Sequence, residues 1–115
     1  WNAVEGTQCY DPPPHFGNCA AALAGTVPPV FEYPHSGPGS PCSVTGGFVY
    51  RGCRMPDLHG SYFFADYCSR RIFSLEVVGG VAQNLIDRTA QLDPEGVVAI
   101  DAISSFGEDA RGELY

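Results

Sequence analysis

The chain has 115 residues, 44% of them hydrophobic, a formal net charge of −7 and six basic residues, all arginine. That length suits one small domain with its own core, and disorder is not the default at this apolar content. The acidic balance excludes the clustered positive charge that nucleic acid or an anionic membrane surface requires, and no apolar run approaches the ~18 residues of a membrane span.

From Trp1 to about Thr26 there is no clean hydrophobic period. The segment "YDPPPHFGNC" is turn and polyproline material, and Cys9 and Cys19 flank it. A bridge between these two would tie a loop with little core of its own, a gain of about 3 kcal/mol by chain entropy. Five cysteines in a chain this short point to disulfides in an oxidising compartment, secreted or periplasmic. No C-x-x-C pair exists, so no metal site is expected. "CAAALAG" is long enough for a single helical turn. Val30 to Tyr33, with proline on both sides, predicts an edge or terminal strand, and "GPGSP" then breaks the chain.

A dense β region follows. Ser43–Arg51, Ser61–Cys68, Arg71–Val78 and Val81–Arg88 are strand-length and rich in β-branched and aromatic residues. Their connections are "GCRMPDLHG", then Ser69–Arg70, then Gly79–Gly80. The last two read as two-residue hairpin loops, and Gly-Gly supplies the positive φ of a primed turn. Three such connections predict a four-stranded antiparallel meander. In its third strand Phe73, Leu75 and Val77 share one face, Ser74 and Glu76 the other. Thr89 to Gly96 is another break. Val97–Phe106 predicts a fifth strand, "GEDARG" a loop, and "ELY" the start of a sixth. The chain opens on Trp1 without Met and stops on Tyr115 inside that strand-like run, so truncation at both ends is expected.

One meander and the start of a second suggest a repeat of roughly 50–60 residues, near the range of propeller blades. The first strand of a blade lines a crowded central channel. Gly46 and Gly47 would there mark close backbone approach, the alternative being a β-bulge in an ordinary sandwich. Ser43, Thr45 and Gly46 are then the channel-facing candidates for cofactor or ligand binding; cross-strand hydrogen bonding is the plainer role of Ser43 and Thr45. His15, His35 and His59 lie in Pro/Gly-rich loops with no visible catalytic partner. "DARGE" (Asp109–Glu113) lacks the register of a calcium loop and reads as a turn. Asp66 is either a buried carboxylate with a raised pKa or, more plainly, a partner of Arg70 or Arg71.

The blocks "WNAVEG…CY", "PVFEYPHS", "CSVTGGFVYRG", "MPDLHGSYFFADYCSRRIFSL" and "ISSFGEDARGELY" come in order over nearly the whole chain. Together they resemble the glucose/sorbosone dehydrogenase-type six-bladed β-propeller, in its Hedgehog-interacting-protein-like branch. The resemblance implies an all-β partial propeller. Residues 1–41 would be a disulfide-tied loop and the outer strand of a preceding blade, 42–88 a complete four-stranded blade, and 89–115 the start of the next. It implies the pairs Cys9–Cys19 and Cys42–Cys68, with Cys53 left as a buried free thiol. The alternative, Cys53–Cys68, suits an antiparallel hairpin less well, since the start of the first strand lies beside the end of the second.

The enzymes of the family use pyrroloquinoline quinone and calcium to oxidise sugars. The strand that brings arginines to the quinone in those enzymes corresponds here to Ala99–Ile103, which has none. The resemblance therefore implies no cofactor in this stretch alone, with quinone and calcium belonging to a longer parent. Two functions follow as expectations. One is a non-catalytic structural or binding segment of a secreted propeller, with a sugar or protein ligand. The other is the C-terminal part of a quinone-dependent aldose or sorbosone dehydrogenase. Exposed strand edges also predict self-association.

Overall fold

The computed structural model describes residues 4–9, 19–37, 39–93 and 100–115, with residues 19 and 20 described by their backbone only. The chain divides into two compact units, Trp1–Glu32 and Tyr33–Tyr115.

In the first unit, β1 (Val4–Glu5) pairs antiparallel with β2 (Gln8–Cys9) around a tight turn. Sequence periodicity misses this hairpin because two residues per strand leave no alternation to read. Glu32 fastens the turn by accepting from the Thr7 amide and hydroxyl, bonds that lower its pKa. "CAAALA" forms the expected short helix, α1 (Cys19–Ala24). Cys9 is disulfide-bonded; its expected partner, the Cys19 side chain, lies outside the described residues. His15 lies outside them too.

The second unit is built on a four-stranded antiparallel sheet in the order β3-β4-β5-β6. These are β3 (Val44–Thr45), β4 (Tyr62–Asp66), β5 (Arg71–Val78) and β6 (Val81–Asp87). The architecture is therefore nearly all-β, and this sheet has the up-and-down order of a propeller blade.

The expected first strand, Ser43–Arg51, is interrupted. It pairs as Val44↔Asp66 and Thr45↔Ala65, then returns as a single bridge, Val49↔Tyr62, one residue out of register. The slip falls on the Gly-Gly. A Cβ on Gly47 would lie 1.9 Å from the Phe63 carbonyl oxygen, so backbone meets backbone there. Gly46 has ordinary space around it. Close approach and a local bulge thus both occur, the first at Gly47 alone.

The second strand ends at Asp66, two residues early. A four-residue turn, 67–70, replaces the expected two-residue loop. Asp66 shapes it: its carboxylate accepts from the Ser69 amide at 2.7 Å and its carbonyl from Arg70 at 3.0 Å, with Arg70 in the left-handed region at φ 60°. The Gly79–Gly80 turn forms as expected, with φ of 60° and 82°.

Three further expectations are corrected. Val30–Tyr33 is in no strand. Of Val97–Phe106, residues 100–106 are irregular and 97–99 lie outside the described residues. "ELY" begins no new strand; it folds back on Gly107 through reciprocal bonds of 2.7 and 2.8 Å, with Glu108 bridged to Leu114. The "DARGE" segment is the turn of that hairpin, and Asp109 fastens it by accepting from the Arg111 and Glu113 amides.

The core sits on one face of the sheet. Tyr50, Phe63, Ala65 and Ile72 are buried there against Leu58, Ile100, Ile103, Phe106 and Leu114. Residues 100–115 thus cover the sheet despite their lack of strand, because their apolar side chains recur toward it. The alternation expected in this strand holds, but the core lies on the Ser74 side: Ser74 pairs with Phe63, shares a face with Ile72 and is buried, and its hydroxyl accepts from the Arg88 guanidinium at 2.9 Å. On the opposite face Tyr62, Phe64 and Phe73 stack in a row at 6.0 and 5.3 Å, with the Arg71 guanidinium over Phe73.

Candidate functional site

An open groove of about 530 Å³ runs along β3 and the residues that follow it. One wall is Ser43, Val44, Thr45, Gly46, Gly47 and Phe48; the other includes Tyr67 and Ser104–Phe106. All three channel-facing candidates therefore line one depression. Thr45 gives its hydroxyl to the Ile103 carbonyl at 2.7 Å, tying the strand to the opposite wall. The Ser43 amide is held by Asp66, and the residue is exposed. Tyr67, Ser104 and Ser105 are the groove residues that sequence reasoning missed. The strand expected over Val97–Phe106 would send the two serines to opposite faces.

Two carboxylates are held in the same manner, Asp66 beside the groove's wall at Ser43 and Glu113 at the loop that follows the first strand. Asp66, fully buried, accepts through Oδ2 from the Tyr33 hydroxyl at 2.9 Å and from the Cys42 and Ser43 amides at 3.0 Å each. Glu113 accepts from the Tyr50 hydroxyl at 2.8 Å and from the Cys53 and Arg54 amides at 3.0 and 3.1 Å. Each is thus a tyrosine, a carboxylate and the amides of a cysteine and its successor.

Burial on its own raises the Asp66 pKa, but the Ser69, Tyr33 and Cys42 donors outweigh it and bring the group down to about 2. The same balance of burial against Tyr50 and the Arg54 and Cys53 amides lowers Glu113. Burial, reinforced by Asp66, raises Tyr33. Asp66 is thus buried with a lowered pKa, and neither arginine pairs with it. Arg70 pairs with Asp101 at 2.7 Å and Arg71 with Asp87 at 2.6 Å, both at the surface. Sequence could not anticipate backbone amides as the partners.

Cys42 and Cys68 form a disulfide with 5.6 Å between their Cα atoms. Cys53 is free, and it is exposed, not buried as expected. The reason lies in Glu113, which holds the Cys53 amide inward and leaves the side chain to face solvent. His35 and His59 are exposed loop residues.

Over its whole length the chain is similar, at 26% identity, to the HIPL1 protein of Arabidopsis thaliana. It spans 19% of that relative's length. The similarity fits the HIPL-like branch. No family model and no solved structure matches the chain.

The groove's lining ill suits a strongly acidic quinone. None of its described residues is arginine, lysine or histidine, and Asp101 on the neighbouring segment already engages Arg70. Among the described residues no cluster of three metal-ligating side chains is placed to hold an ion. What the groove offers is hydroxyls, backbone groups and aromatic edges, a surface for a neutral polar ligand or for packing against another element.

Proposed function

We propose that this chain is a segment of a secreted, sugar-dehydrogenase-like β-propeller and that by itself it serves a structural or binding role without catalysis. The carrying observation is the groove. It lies on the inner strand of a blade-like sheet, and it presents no group that would exchange a proton near neutrality. The nearby carboxylates support this reading, since each is already saturated by three or more donors. The similarity along this chain supports the sugar-dehydrogenase-like framework, and the disulfides agree with secretion.

The test is oxidation of aldoses by the whole protein from which the chain comes, supplied with pyrroloquinoline quinone, calcium and a dye acceptor. No dye reduction above background is the expected result. Turnover that disappears on changing Ser43 or Ser104 would overturn it in favour of a working dehydrogenase.

We also propose that the chain self-associates through a strand edge. Strand β6 supports this: among the described residues it pairs on one side only and carries exposed Val81, Leu85 and Ile86. Light scattering at micromolar concentration that finds only monomer removes this part.

A further inference from the structure

The Cys42–Cys68 bond lies on the rim of the groove. Ser43 directly follows Cys42, Tyr67 directly precedes Cys68, and both line the depression. Both cysteines are exposed, whereas the carboxylate that joins the same two limbs is fully buried. Independently of sulfur, the limbs are joined by the Tyr67 amide on the Ser43 carbonyl at 2.9 Å and by Asp66 on the Cys42 and Ser43 amides. Asp66 also fixes the far side of the turn through the Ser69 amide. A solvent-facing covalent bond is therefore backed by a solvent-shielded polar one that does the same mechanical task.

We propose that the Cys42–Cys68 disulfide is a reversible redox latch on the groove, which opens and recloses without dismantling the sheet because Asp66 keeps the limbs registered. A dithiol reductant is the co-reactant. Its thiolate attacks one exposed sulfur, the S–S bond breaks, and a mixed disulfide forms as one cysteine leaves as thiol. The second thiol of the reagent then closes its own disulfide and releases the other cysteine. Two electrons and two protons pass from the reagent to Cys42 and Cys68; reclosure is the same exchange in reverse, with the reagent's disulfide form as the oxidant that takes the two electrons and two protons back. What changes is the groove's rim, freed of its cross-link; what stays is the strand pairing behind it.

The experiment treats the full chain with dithiothreitol at neutral pH without denaturant. Iodoacetamide alkylation with peptide mass mapping reads Cys42 and Cys68 separately from the other cysteines. Hydrogen exchange reads the Tyr67 and Phe63 amides. Alkylation at both cysteines is expected, with exchange protection at Phe63 falling by less than about tenfold. In Asp66→Asn, the same reduction should cost that amide at least about a hundredfold. Two results overturn the proposal: alkylation of wild type only after Phe63 protection has collapsed, or equal protection in reduced Asp66→Asn and reduced wild type. If Asp66→Asn fails to fold even when oxidised, the wild-type measurement decides.

Discussion

Asp66 and Gly47 carry more of this molecule than their size suggests, for opposite reasons. At Asp66 a buried charge is tolerated because every lone pair that matters meets a donor. Asp66→Asn removes the charge and turns one of the two acceptor oxygens into a donor that faces other donors. Equilibrium urea unfolding should show a loss of about 1–3 kcal/mol for each donor left without a partner. At Gly47 the requirement is space. Gly47→Ala would push a methyl into the Phe63 carbonyl, and only movement of one strand relieves it. The expected cost is about 1–3 kcal/mol, read from the same unfolding curves, while Gly46→Ala should cost clearly less. The pair of glycines is plain in the sequence, and so was the crowding. Which glycine bears it was not, because that depends on where the pairing slips.

At the scale of elements, legibility followed length. Strands β5 and β6 and the Gly-Gly turn between them stood out because seven or eight residues of β-branched and aromatic side chains leave little choice. The region 100–106 misled for the same reason: an apolar, β-branched run resembles a strand, yet here it is a cover whose backbone stays irregular. Its attachment shows how the groove's second wall was hidden in sequence, since Thr45 meets the carbonyl of Ile103, a group no side-chain pattern reveals. The terminal hairpin, 107–115, is held to the loop after the first strand by Glu113. Glu113→Gln should therefore raise hydrogen exchange at the Cys53 and Arg54 amides while leaving β5 and β6 protected, a local loosening visible by residue-resolved exchange. By contrast, Arg71→Ala breaks a half-exposed pair with Asp87 and should change stability by no more than about 1 kcal/mol.

For the whole molecule, the carboxylates act in one direction. Asp66, Asp87, Asp109 and Glu113 are all lowered below their ordinary values in the folded chain. As pH falls the unfolded chain therefore takes up protons first, and the native state loses its advantage. For Asp66 that contribution is complete above its ordinary 3.8 and fades as pH falls to about 2. Thermal unfolding followed from pH 6 to pH 2 should show a melting temperature that drops below about pH 4, with a shallower drop in Asp66→Asn. Tyr33 works at the other end: its raised pKa means that stability present below its ordinary 10.0 is lost as pH rises beyond it.

The two tyrosine–carboxylate anchors also give the protein a built-in spectroscopic gauge. Burial foremost, and a carboxylate at each hydroxyl, delay ionisation at Tyr33 and Tyr50, two of the six tyrosines. A rapid alkaline jump followed by phenolate absorbance should therefore show a lagging phase from this pair. The lagging amplitude counts intact anchors in a single cuvette, with no label attached.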